Sequence, residues 1–74
     1  MHDPVNHPQH YTSGDIECID AIKSAVNGLS GNEAYLTGQV IKYIWRWKKK
    51  NGKEDLQKAD FYLKRLIAEM EEQK

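Results

Sequence analysis

Three observations predict an all-α protein: a small three-helix bundle with an irregular, ordered N-terminal loop containing His and Pro. Apolar residues recur at helical spacing in three successive stretches. Two Asn-Gly pairs, Asn27-Gly28 and Asn51-Gly52, separate those stretches, and both residue types accept the left-handed backbone that ends a helix. No stretch reads as a strand. The 74 residues make a single domain, 1–74, with the loop over 1–14 and helices over 15–27, 30–51 and 53–72.

In the loop, Pro4 and Pro8 exclude a helix interior and push Asp3 and His7 toward extended backbone. The run Val5-Asn6-His7-Pro8-Gln9-His10-Tyr11 is too polar for a core strand. Its imidazoles and phenol are also unlike the Glu-, Ser- and Lys-rich composition of disordered tails. It reads as an ordered loop that presents hydrogen-bonding side chains.

The first helix begins near Asp15, capped by Ser13 or Asp15, with Ile16, Ile19, Ile22 and Val26 as its apolar stripe. The second is announced by Ser30-Gly31-Asn32-Glu33, a capping-box spacing with Ser30 as cap and Glu33 reaching back. Val40, Ile44 and Trp47 lie on one face, Leu36 and Tyr43 lie beside them, and Ile41 and Trp45 form a second apolar edge. So wide an arc needs more than one neighbour. In the third helix Leu56, Ala59, Leu63, Leu66 and Met70 follow helical spacing. Glu54 and Lys58, Asp60 and Lys64, and Arg65 and Glu69 are i,i+4 pairs, each contributing roughly 0.2–0.5 kcal/mol. The short linkers predict antiparallel packing of neighbouring helices.

A chain this short buries only about 60% of its unfolded surface, so association with a second copy or a ligand is an expected source of stability. A homo-oligomer is therefore expected. Trp45 and Trp47 point to different sides of their helix, and a bundle this small buries one fully. The other is expected to meet a second subunit or the N-terminal segment. The single Cys18 forms no internal disulfide, which points to a reducing cytosol. It lies beside the first stripe and reads as a small buried hydrophobe. No apolar run is long enough for a membrane span, and Met1 opens no signal-peptide pattern. The net charge is +0, but it is segregated. Positions 1–41 carry five acidic residues against Lys23 alone, whereas 42–74 carry ten basic and six acidic residues. A neutral total makes nucleic acid an unlikely partner yet leaves room for a local anion site.

That site is expected on two helices. Lys42, Arg46 and Lys49 or Lys50 share a face of the second, extended by Gln39 and Tyr35. Lys58, Tyr62 and Arg65 share a face of the third, with Asp55 one turn before. If the two faces adjoin, the cleft is cationic and phenolic and can be covered by the histidine loop. Arg offers a fork to phosphate, Lys a mobile charge, and Tyr or His a stacking surface. On spacing alone, a solvated basic face explains the stripe as well. His7 and His10, with His2, Asp3, Asp15 or Glu17, form no strong ligand pattern, so no metal is assigned. No Gly-rich phosphate loop is present, and no catalytic residue is assigned. Glu17 and Asp20 could hold a magnesium ion accompanying a phosphate, although acids are also favourable in a first helical turn.

Taken in order, Val5-Asn6-His7-Pro8-Gln9-His10-Tyr11, Gly14, Ile16-Glu17, Ile19-Asp20, Lys42-Tyr43-Ile44-Trp45-Arg46-Trp47, Lys50-Asn51-Gly52, Glu54-Asp55-Leu56, Lys58-Ala59 and Tyr62-Leu63 resemble the small phage-encoded SaV-like family of unknown function. A similar stretch occurs within the longer nucleotide kinase of short-tailed coliphages, an enzyme without the usual phosphate loop. The resemblance spans about Val5 to Ile67. It implies a phage or prophage origin, a setting in the host cytosol and a link to nucleotides. Its matched polar positions are His7, His10, Tyr11, Lys42, Arg46, Lys50, Asp55, Lys58 and Tyr62, which coincide with the loop and stripe above.

The expectation is therefore an oligomeric, non-catalytic binder of a nucleotide or another phosphorylated small molecule, able to sequester a nucleotide signal of host defence. It needs no cofactor beyond a magnesium ion carried by the ligand. A nucleoside monophosphate kinase is the alternative, and a nucleic-acid or host-protein binding module the third reading.

Overall fold

The computed structural model describes residues 12, 13 and 15–73. The sequence expectations for His2, Asp3, His7, His10 and Tyr11, and for the loop that carries them, lie outside the described residues. Helix α1 spans Cys18–Ala25, α2 Gly31–Arg46 and α3 Lys53–Glu72. A 3₁₀ turn, Trp47–Lys49, continues α2. The fold is all-α with three helices, as expected, and α3 has the predicted limits.

The first helix starts later than its periodicity implied. Ile16–Glu17 (β2) is extended and pairs antiparallel with Thr12–Ser13 (β1), in the register Thr12 to Glu17 and Ser13 to Ile16. Glu17 is the N-cap, a role expected of Ser13 or Asp15. Two β-branched residues, Thr12 and Ile16, favour extended backbone here, and two residues between partners is the spacing of a tight hairpin. The helical stripe loses its first member as a result. Ile16 and Ile19 are 56% and 60% exposed, while Cys18, beside them, is buried as expected.

Gly28, at φ 90°, ends α1 as the Asn-Gly pair predicts. Ser30 takes the N-cap position of α2, in extended backbone, but forms no side-chain capping hydrogen bond. Gly31 accounts for the failure of the capping box. Its φ of 56° turns the first helical residue out of the right-handed geometry that carries N3 toward the cap hydroxyl.

α3 packs antiparallel along α2. Asn32 Nδ2 donates to Glu69 Oε2 (3.2 Å) at one end and Arg46 meets Asp55 at the other. Glu69 is thereby used across helices and does not form the expected pair with Arg65. The other two i,i+4 pairs form, Glu54–Lys58 at 3.3 Å and Asp60–Lys64 at 2.9 Å. α1 packs chiefly on α2, where Gly38 makes room for it. A Cβ at Gly38 would lie 3.2 Å from Ile22 Cγ2. Thus α2 has its two neighbours, as its wide apolar arc required.

Among the described residues the buried apolar set is only Cys18, Leu36, Tyr43 and Ala59. Neither tryptophan is fully buried, against the expectation for one of them, and Trp47 remains 36% exposed. Trp45 Nε1 is sealed from solvent with no hydrogen-bond partner among the described residues. The predicted stripe of α3 splits: Ala59 is buried and Leu66 half-buried against the bundle, but Leu56, Leu63 and Met70 face outward. α1, eight residues long, is too short to cover them. No described helix is long and apolar enough to cross a membrane.

Candidate functional site

The turn from α2 to α3 builds the centre of the site. Gly52 adopts φ 59°, ψ −126°, a backbone that a side chain would strain. This folds the chain back so that the Gly52 N–H donates to the Trp47 carbonyl at 2.8 Å. Asp55 then falls at the third position of α3, where a carboxylate meets the positive end of the helix dipole and can reach back to a preceding N–H. The Asn51 backbone N–H donates to Asp55 Oδ2 and Asn51 Nδ2 to Oδ1, both at 3.2 Å. Arg46 completes the set, with Nε to Oδ2 and Nη2 to Oδ1, also at 3.2 Å.

Asp55 is thus fully buried, with two donors on each oxygen, and Arg46 is only 6% exposed. Burial pushes the Asp55 carboxyl upward. The hydrogen bonds from Arg46 and Asn51, together with the Arg46 charge, outweigh it and hold the group below the usual carboxylate range. A bidentate Arg–carboxylate pair is geometrically specific. This one fixes the guanidinium plane beneath the Tyr43 ring, whose centroid lies 4.8 Å from Arg46 Cζ.

Tyr43 is the hub. Lys42 Nζ and Lys58 Nζ lie 4.6 and 5.5 Å from its ring centroid, so three cations surround one phenol. Tyr62 lies parallel to Tyr43 at 5.9 Å between centroids and is met edge-on by Tyr35 at 6.2 Å and Phe61 at 5.2 Å. Tyr35 and Phe61 are more than half exposed and form the outer edge. Hydrogen bonding with Tyr62, then the nearby Tyr62 charge, raises the Tyr35 hydroxyl above the usual phenol range. Cys18 lies close enough to feel Lys42 and Arg46. Burial raises its thiol and the two cations offset this in part, so at neutral pH it is a protonated thiol.

Of the residues predicted from sequence, Lys42, Arg46, Asp55, Lys58 and Tyr62 come together as expected from adjoining helix faces. Lys50 does not join them. It is exposed at the end of the 3₁₀ turn and makes none of these contacts. Arg46 and Asp55 prove to be mutual partners, which leaves Lys42 and Lys58 as the half-buried cations of the rim. Sequence reasoning missed Tyr43 as the hub, because its spacing placed it with the apolar residues. It also missed Asn51, read only as a helix stop. The signal for Tyr43 was available: it lies three residues before Arg46, a spacing that sets the two side chains side by side on a helix.

Fold and site together define a small all-α domain with a cationic, phenol-lined face held by a buried ion pair. The chain belongs to the DUF3310 family, proteins of unknown function, whose profile matches residues 5–64. Neither a curated protein nor a solved structure matches it.

Proposed function

We propose that the protein binds a nucleotide or another phosphorylated small molecule at the face built on Tyr43 and Tyr62, and does so without turning it over. The observation that carries this reading is the grouping of Lys42, Arg46 and Lys58 around one ring, bordered by the exposed rings of Tyr35 and Phe61. Lysines at the rim supply mobile charge for phosphate, and exposed aromatic faces are sequence-tolerant stacking surfaces for a base. A carboxylate committed to four hydrogen bonds and held ionised is a poor general base, so Asp55 acts as a positioning residue. The resemblance to phage-encoded SaV-like proteins supports a phage setting. There, a homo-oligomer in the host cytosol would sequester a nucleotide signal of host defence, with any magnesium ion arriving on the ligand.

Thermal shift and calorimetry against mononucleotides, cyclic dinucleotides and short DNA test the proposal. Stabilisation by at least one nucleotide class is expected, and Lys42→Ala should weaken it by about tenfold or more, the effect of losing a hydrogen bond to a charged group. Lys64→Ala, on the opposite edge of α3, should leave it unchanged. No stabilisation by any nucleotide at millimolar concentration refutes the proposal, and a preference for DNA favours the nucleic-acid reading. Product formation from ATP, magnesium and a nucleoside monophosphate would replace the binder with a kinase. Arg46→Ala is a poor probe, because it leaves Asp55 buried without its cation.

A further inference from the structure

The third helix carries a strict heptad seam, Leu56, Ala59, Leu63, Leu66 and Met70, spaced alternately by three and four residues. Such a seam is stable when both its a and its d positions are covered. Among the described residues only one set is. Ala59 and Leu66 turn toward α2, whereas Leu56, Leu63 and Met70 are 37%, 43% and 53% exposed, with Ile67 beside them at 50%. Helical periodicity places this leftover row on the face of the α2–α3 pair opposite the cationic site. Ile44 of α2, 50% exposed, extends the same face.

We infer that this row is the contact surface for a second copy of the chain, with the two α3 helices packed antiparallel about a two-fold axis at Leu63. The row is self-complementary about that point. Leu56 and Met70 lie seven residues to either side of Leu63, so each meets the other across the axis. The charged edge beside the row selects this orientation. It reads Lys53, Asp60, Lys64, Glu71, alternating in sign and exposed throughout. Antiparallel packing sets Lys53 near Glu71 of the partner subunit and Asp60 near Lys64 of the partner subunit. Parallel packing about a two-fold axis along the helices would put the two charged edges on opposite sides of the contact, where they could not pair. An isologous contact requires residue i to meet j and j to meet i; the four charges pair symmetrically about position 62, one residue or about 1.5 Å from Leu63, an offset that long side chains span. A helix of 20 residues is about 30 Å long, enough to carry the whole row. The inference gives the homo-oligomer proposed above a surface, and it does not depend on the ligand.

The test uses the full chain. Light scattering should give twice the 8.6 kDa chain mass for the wild type. Leu63→Glu should weaken association by at least about tenfold, as a charge at the centre of an interface does. Under mild oxidation Leu63→Cys should form a covalent dimer, while Phe61→Cys, exposed on the opposite flank of α3, should not. Lys53→Glu should weaken the dimer, and adding Glu71→Lys should restore it. A monomeric wild type, an unchanged mass in Leu63→Glu, or equal cross-linking at positions 61 and 63 overturns the inference. Cross-linking at Leu63 in a protein that binds no nucleotide keeps the interface and discards the ligand. Nucleotide binding by a monomer does the reverse.

Discussion

The two faces of the α2–α3 pair are made from the same helices and solve opposite problems. On one, a guanidinium and a carboxylate are withdrawn from water and every oxygen of Asp55 is satisfied. On the other, leucines and isoleucines that a larger protein would bury remain at the surface. The difference shows where the fold's specificity lies. Apolar burial is non-directional and the internal core is small. The antiparallel register of α2 and α3 is instead pinned by a fork, Arg46 to Asp55, which fits in only one alignment. Among the described residues the polar groups of the first face are paired, while the apolar side chains of the second stay exposed.

Breaking the fork should have the largest effect. Asp55→Ala removes from a buried site the acceptor of two Arg46 and two Asn51 hydrogen bonds, and should cost about 3–5 kcal/mol. That is most of the stability available to so small a domain, so urea titration should show a largely unfolded population. A loss below 1 kcal/mol would mean that the fork does not hold the two helices. The next contrast compares two leucines. Leu36→Ala, 6% exposed, should cost about 2–3 kcal/mol, in the lower part of the range for buried leucine, at any protein concentration. Leu63→Ala should cost less in dilute protein, and its penalty should grow with concentration, because the missing contact lies between copies. Equal, concentration-independent losses would make both faces part of one monomeric core.

The same fork predicts an acid limit. Asp55 has a lowered pKa in the folded chain against an ordinary value of about 3.8. A group depressed on folding gives stability that is fully present above its unfolded pKa and disappears as pH falls through the folded one. Stability attributable to Asp55 should therefore be flat from neutrality to about pH 5 and decline below about pH 4. Asp55→Asn should flatten that decline, as followed by helix ellipticity against pH. An acid transition unchanged in the variant would assign it to other carboxylates.

The helices were legible because their stop signals are local. Asn27-Gly28 follows the end of α1, and α3 runs between the limits read from sequence, whereas α2 stops at Arg46, short of the expected Asn51, and passes into the 3₁₀ turn. The start of α1 was not legible in the same way. Ile16 fits a helical stripe and a strand equally well, and its pairing with Ser13 decided the matter. The site was half legible. Spacing identified Lys42, Arg46, Lys58 and Tyr62 as facing residues. Spacing cannot say which charge spends itself on an internal partner, and in the structure Arg46 and Asp55 are partners of each other. The stripe of α3 was legible from its spacing, and the structure divides it between the bundle and the surface. Periodicity reports a stripe to be covered, not the molecule that covers it.

The smallest effect probes the boundary of the apolar face. Lys64 and Asp60 lie 2.9 Å apart with side chains 74% and 57% exposed. An exposed i,i+4 pair contributes about 0.3–0.5 kcal/mol because water and salt screen it. Within a monomer, Lys64→Ala should therefore shift the urea midpoint slightly, equally at low and high protein concentration, and the shift should vanish in molar salt. If Lys64 also faces Asp60 of a partner subunit, its removal loses a second contact only where dimers form. The shift should then widen with concentration at low salt and narrow again as salt is added. A shift independent of concentration would confine Lys64 to its own helix and leave the apolar row without its charged edge, removing the argument that orients the two copies.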